Sequence, residues 1–237
     1  MATMFPTIYP KVPNEKDPEF VTFQILKKLP DNYLVFYSKK FKGTGSFKEE
    51  CEVDFIIFDQ NKTLICLEVK GGVISYDGIE DKWMQNGKDL ITSPDRQASA
   101  AMHNVLNFLK GDISNLNIGW ALGFPDCCLP EDLTIPSGLT RQIIIDQIGY
   151  NNIEKSINMV SKYYVEKFQR RGIGLQTAKL IQNRLTSSLG FVTKLGVRLA
   201  RDYSQLIEVT ESQFKVLNDI LINNKTIVRG YAGTGKT

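Results

Sequence analysis

The chain holds one histidine, His103, and four cysteines in 237 residues. Cys51, Cys66, Cys127 and Cys128 form no C-x-x-C pair, and only one histidine exists to complete a zinc set, so their spacing does not point to a structural zinc module. Their spacing does not make a disulfide framework, which fits a reducing cytosol, and vicinal Cys127-Cys128 reads as a buried or idle pair. No uninterrupted apolar run approaches the roughly 20 residues of a membrane span. The opening MATMFPTIYPKVP lacks a charged start followed by an apolar stretch, so it is not a secretory signal. Internal repeats and low-complexity tracts are also missing. A cytoplasmic globular protein without a membrane partner is the expectation.

What is present suits that class: 42% hydrophobic and 23% charged residues are enough to build a real core. The net charge is only +3, so bulk charge does not mark a nucleic-acid binder. Its distribution is uneven. Residues 141–209 hold 11 Lys and Arg against 5 Asp and Glu, leaving the rest net acidic. Such a segment is either a phosphate-facing surface or a solvated helix face.

Asp17-Pro18-Glu19 reads as a helix start, with an N-cap, a proline at the first helical position and a favoured acid. This helix runs through Phe20, Phe23 and Leu26 and stops before Pro30. Tyr33–Tyr37 reads as a strand. Residues 51–58 (CEVDFIIF) and 63–70 (TLICLEVK) read as a hairpin around Asp59-Gln60-Asn61-Lys62. Ser93-Pro94-Asp95 opens a second helix with the stripe Ala98, Met102, Val105 and Leu109. Residues 118–124 and 142–146 complete the strands. Beyond about 150 the pattern is helical: Ile153, Ile157, Val160, Tyr164 and Phe168 form one stripe, and Leu175, Ala178, Ile181, Leu185 and Leu189 another. Arg170-Arg171-Gly172 separates the two. The reading is an α/β fold with a mixed sheet flanked by helices over 1–148, then a basic helical connector over 149–208. A third segment covers 209–237.

Glu68 and Lys70 point the same way, because side chains alternate along a strand. A turn near Gln60-Asn61 brings Asp54 opposite Glu68 within about one residue, with β-carbons about 5 Å apart. Two carboxylates that close repel unless a cation lies between them, and Mg²⁺ takes one or two carboxylates plus waters and phosphate oxygens. Lys70 can then stabilise developing charge or help deprotonate a water. Gly71-Gly72 removes bulk beside it. Acid-x-Lys triplets arise by chance about once in such a chain. Glu80-Asp81-Lys82 is a decoy of that kind, in a polar, glycine-flanked loop. Glu68-Val69-Lys70 ends an apolar strand instead, where the competing reading is a strand-end salt bridge.

At these residues the sequence resembles the PD-(D/E)xK nuclease superfamily, and within it the nuclease-related domain, NERD. The resemblance is carried in order by Glu19, LPDNYLVFYS (29–38), VDFII (53–57), LEVKGG (67–72), Trp83 and SPDRQ (93–97), over roughly 15–125. It implies a restriction-endonuclease-like fold and a metal-dependent nuclease using Mg²⁺ or Mn²⁺. Asp54 and Glu68 would be metal ligands, Lys70 the catalytic lysine, Gln97 a supporting catalytic residue, and Glu19 a further metal ligand. Glu19 and Gln97 also sit in first helical turns, where polar residues are common. Val53 stands where the superfamily name has proline. His103 has no catalytic counterpart and reads as solvated or packing, and Trp83 reads as packing. The implied substrate is DNA, with RNA still open.

Gly230-Tyr231-Ala232-Gly233-Thr234-Gly235-Lys236-Thr237 fits G-x4-G-K-T after the apolar TIVR (226–229). Gly230, Gly233, Thr234, Gly235, Lys236 and Thr237 are therefore candidate ATP-binding residues, behind a helix over 211–222. VTESQFKVLNDI (209–220) is similar to the adenine-contacting motif of superfamily 1 helicases, with Gln213 in the glutamine's place. The resemblance implies the first part of a nuclease–helicase fusion cut after its phosphate loop, with ATP a ligand of the full-length parent only. A phosphate loop works by feeding a helix N-terminus, so ATP hydrolysis is not expected from these residues alone. Defence against phage and DNA maintenance are the roles such fusions suggest. The alternatives are a non-cleaving nucleic-acid-binding module and a self-associating arm made of the helices in 150–206.

Overall fold

The computed structural model describes residues 1–42, 51–59, 63–110, 116–130, 135–136, 138–169, 175–188, 202, 211, 213–223, 225 and 227. The turn at 60–62, the break at 170–172, Leu189 and the phosphate-loop residues Gly230, Gly233, Thr234, Gly235, Lys236 and Thr237 lie outside them.

The chain forms two compact units, Met1–Ser187 and Ser188–Thr237. In the first, strand β1 (Thr3–Phe5) leads to helix α1 (Pro18–Leu26), strand β2 (Tyr33–Phe41) and the hairpin β3 (Cys51–Asp59) and β4 (Thr63–Val69). A small second sheet follows, of β5 (Ile74–Asp77), β6 (Lys82–Gln85) and β7 (Lys88–Asp89). Helix α2 (Pro94–Leu109) then crosses to β8 (Ile118–Phe124), and β9 (Ile144–Asp146) precedes helices α3 (Gln147–Asn151), α4 (Ile153–Phe168) and α5 (Leu175–Leu185).

The main sheet is mixed, in the order β1-β2-β3-β4-β8-β9. The β2–β3 and β3–β4 pairs are antiparallel, whereas β1–β2, β4–β8 and β8–β9 are parallel. All of β4 is buried, as a central strand covered on both faces requires. Its alternation sorts the faces. Leu64 and Cys66 pack with Val105 and Leu109 of α2 and Ile181 of α5. Ile65, Leu67 and Val69 pack with Phe23 of α1 and Ile157 and Val160 of α4. Glu68 follows the parity of Leu64 and Cys66, so it turns toward α2.

The α/β reading with a mixed sheet flanked by helices holds. Asp17 caps α1 as expected, accepting from Glu19 N at 3.0 Å. The expected stripe of α2 is buried throughout. β2 runs on to Phe41 because Lys39 and Lys40 pair with Val53 and Glu52, past a left-handed Ser38 (φ 51°). The strand expected over 142–146 starts only at Ile144. Before it, Arg141–Ile143 closes a single 3-10 turn, and Arg141 Nη1 donates to Ile144 O at 2.9 Å. β1 and the β5–β7 sheet were not legible, being too short to show a period.

The boundary expected at 148/149 runs through this core. Ile153, Ile157, Val160 and Tyr164 of α4 are buried against the sheet, and Tyr164 OH donates to Trp120 O at 2.7 Å. Each such apolar side chain stabilises by about 1.5–3 kcal/mol. This face of α4 is therefore spent within the chain and is not open for pairing with a second copy. Phe168 is 39% exposed and continues the stripe only at its end. In the second unit, 213–222 is helical.

Candidate active site

The β3–β4 ladder pairs Phe55 with Leu67, and one step further the same register sets Asp54 across from Glu68. There the ladder is continued by a side chain: Val69 N donates to Asp54 Oδ2 at 2.9 Å. Lys70 Nζ reaches back to Glu68 Oε1 at 2.6 Å. Glu68 is 5% exposed, and the Lys70 side chain is 20% exposed. Asp54, Glu68 and Lys70 share a cleft of about 1160 Å³ with Glu19 from α1, Gln97 from α2 and Trp120 from β8. The sequence-expected residues thus converge on one concavity.

Burial dominates the electrostatics here. Loss of water, and then the Glu68 charge, push the Asp54 carboxyl up to about 7. Burial also raises Glu68, against the pull of the Lys70 charge. The lysine compensates one carboxylate, and the pair remains short of positive charge. On α2, Gln97 Oε1 is buried without a hydrogen-bond partner, and Asp95 Oδ1 beside it is in the same condition. Two adjacent carboxylates that resist ionisation and an orphaned amide oxygen form a donor set of hard oxygens, which fits a hydrated Mg²⁺ or Mn²⁺. Among the described residues no three His, Cys, Asp or Glu side chains close on one point by themselves, so such an ion would keep several waters.

Glu19 faces the cleft but is otherwise engaged. Its Oε2 accepts from Tyr37 OH and from Lys11 Nζ, the latter at 2.8 Å. Tyr37 OH also lies 3.3 Å from Tyr9 OH, and Tyr9 OH donates to Asp17 Oδ2 at 2.7 Å. Burial first, and then the Glu19 hydrogen bond, raise the Tyr37 phenol, so it stays a donor at any working pH. His103 is exposed on the cleft wall, as a solvated histidine would be.

Gly71 and Gly72 are fixed tightly after Lys70. A β-carbon on Gly71 would meet Pro18 Cγ at 2.7 Å, so α1 can approach only a glycine. Gly72 has φ +75° and donates its N–H to Asp126 Oδ2 at 2.7 Å. Cys127 Sγ donates to Gly72 O at 3.0 Å and accepts from Ile74 N at 3.3 Å. Cys127 is thus a clasp on the turn that carries Lys70, not an idle thiol. Asp126, Lys11 and the place of Tyr37 at the site were missed in the sequence, where Cys127 reads only as buried or idle. The signal for Asp126 was a carboxylate just past the C-terminal end of a parallel strand, where sites gather in α/β sheets.

Other sequence candidates fall elsewhere. Glu80 and Lys82 form an exposed pair at 3.3 Å and do not line the carboxylate cleft. Trp83 packs between Tyr76 and Phe124. The basic character of 141–209 is partly neutralised: Arg141 pairs with buried Asp146 at 3.0 Å and Lys162 with Glu166 at 3.8 Å. Gln213 lies on the exposed helix of the second unit.

Residues 15–124 match the family model of NERD, the nuclease-related domain. The match begins just before α1 and ends with β8, so it encloses Glu19, Asp54, Glu68, Lys70 and Gln97. No curated protein and no solved structure gives a match.

Proposed function

We propose that this chain is a divalent-metal-dependent nuclease that hydrolyses phosphodiester bonds of nucleic acid, with DNA as the first substrate to test. The observation that carries this reading is Asp54 and Glu68 sharing one cleft with Lys70, one step beyond the Phe55–Leu67 pair of the β3–β4 ladder, inside a segment that matches a nuclease-related family. Asp54 and Glu68 would hold Mg²⁺ or Mn²⁺, with Gln97 Oε1 as an acceptor for a coordinated water. When bound, the cation acidifies a water and clamps the scissile phosphate.

The chain's own groups do the remaining work. The Val69 N–H fixes the Asp54 carboxylate in place, so no rotamer need be found when substrate arrives. Lys70 lies along the cleft wall, where its ammonium group can meet the negative charge that gathers on phosphate oxygens in the transition state. The Asp126 and Cys127 contacts to Gly72 anchor the backbone that carries Lys70. Lys11 holds Glu19 at the rim, and a switch of Glu19 from Lys11 to the ion would give a third carboxylate.

Residues 209–237 carry the pattern of a superfamily 1 motor's opening, with Gln213 and the Gly230–Thr237 loop for ATP. Under this reading these residues would bind ATP as part of a motor, with roles in phage defence or DNA maintenance.

The test is incubation of the purified chain with plasmid and single-stranded DNA in Mg²⁺ or Mn²⁺, beside Asp54→Ala and Lys70→Ala. Cleavage by the parent and its loss in both variants supports the proposal. Equal cleavage by all three rejects it. Tight, salt-sensitive binding without cleavage in any metal would establish the non-cleaving binding module instead.

A further inference from the structure

A second concavity opens beyond Gly71 and Gly72, and it shares no lining residue with the carboxylate cleft. It is an apolar cavity of about 510 Å³, walled by Ile74, Tyr76, Trp83, Phe124, Leu139 and Ile144. The Tyr76 and Trp83 rings stand 5.3 Å apart at 59°, with Phe124 6.1 Å from Trp83. Asp146 also reaches the lining, yet its oxygens are taken by Leu129 N, Gly149 N and Arg141. The cavity therefore offers aromatic and aliphatic surface and no uncommitted charge.

A groove of about 430 Å³ shares walls with both concavities. It shares Asp95 and Arg96 with the cleft, and Tyr76, Trp83, Pro136 and Leu139 with the cavity. Its walls are polar, with Asp81, Lys82, Asp95 and Arg96 in the lining. Asp81 is tied to Tyr76 OH at 2.6 Å, and Lys82 to Glu80 at 3.3 Å. Ser93 Oγ and Asp95 Oδ1 are buried there without hydrogen-bond partners. The sequence of surfaces is thus a hard-oxygen cleft, a polar passage with an arginine, and an aromatic-walled cavity. A nucleotide chain repeats the same chemistry: an anionic phosphodiester, a polar sugar, and a flat base with two π faces.

We propose that the Tyr76–Trp83–Leu139 cavity is a nucleobase subsite, which takes one unstacked base of the strand whose phosphodiester lies at Asp54 and Glu68. This rests on the nuclease reading of the cleft. An apolar peptide side chain would also fill the cavity, but it would not use a polar groove whose Asp95 and Arg96 also line the carboxylate cleft. Arg96, shared by cleft and groove, stands where the backbone phosphate between the two subsites would run. Extruding a base costs least from a single strand or a frayed end, so the subsite favours unpaired substrate.

The test is a binding scan on the full chain carrying Asp54→Asn, which removes a cleft carboxylate and with it cleavage. Single-stranded oligonucleotides carry one abasic site, moved a nucleotide at a time, and affinity is read by fluorescence anisotropy. One position is expected to cost about tenfold, the scale of one base–aromatic stack. Adding Tyr76→Ala should weaken the intact oligonucleotide by about the same factor and flatten the scan. Leu139→Trp, which fills the cavity from another wall, should do likewise. A flat scan before either substitution overturns the subsite, and so does a stepped scan that both substitutions leave unchanged. Cleavage by the parent chain with a flat scan removes the subsite alone. A stepped scan that both substitutions flatten, in a protein that never cleaves, upholds the subsite and removes hydrolysis alone. Failure to bind any oligonucleotide removes both.

Discussion

Asp54 accepts a hydrogen bond from the backbone of Val69 one step beyond the last ladder pair, Phe55 and Leu67, so one contact both extends the β3–β4 pairing and aims the carboxylate. A side chain used this way cannot turn away to relieve its repulsion from Glu68. The pair is therefore held in a costly arrangement that a cation would relieve, and the predictions follow from that tension.

Without metal, Asp54 should be a source of instability. Its folded carboxyl is raised from 3.8 to about 7 by burial and by Glu68. Stability tied to this group is full below the unfolded value and is lost as pH rises through about 7. Asp54→Asn should raise the melting temperature at pH 8, by a free energy on the order of 2 kcal/mol, and change little at pH 4. Thermal melts in a chelator at the two pH values check this.

Lys70→Ala should separate binding from chemistry. Lys70 pairs with Glu68 at 2.6 Å, so its removal frees a ligand oxygen and leaves Mn²⁺ affinity equal or higher. Cleavage should fall by roughly 10²–10³ or more, as for loss of one charge-stabilising donor. Single-turnover rates beside metal titration check both halves.

Gln97→Ala should lower cleavage without lowering stability. Its Oε1 is buried with no partner, so truncation removes an unsatisfied group. Urea denaturation should be unchanged within about 0.5 kcal/mol. A large loss of stability would show a structural role instead.

Gly71→Ala should destabilise by about 1–3 kcal/mol through overpacking, because the new methyl would lie 2.7 Å from Pro18 Cγ in the ring that starts α1. Urea midpoints check it.

Much of the site was legible because a hairpin is arithmetic. Two strands of alternating side chains and a short turn are enough to set Asp54 against Glu68, and the register agrees. Helix stripes were readable for the same reason. Their partners were not, since periodicity shows which face of α4 is apolar but not that the main sheet covers it. The ties on Glu19 from Lys11 and Tyr37, and on Gly72 from Asp126 and Cys127, join segments remote in the chain. No local pattern encodes them. The β5–β7 sheet, four residues or fewer per strand, offered too few alternations to show a period.

The most direct test of the account is calorimetric titration of Mn²⁺ into the chain at pH 8 and pH 6, beside Asp54→Asn and Glu68→Gln. The account predicts binding that weakens at pH 6 with release of protons, because Asp54 must lose its proton to coordinate, and that disappears in either variant. Mn²⁺ bound equally well by all three proteins, with no dependence on pH, would contradict it.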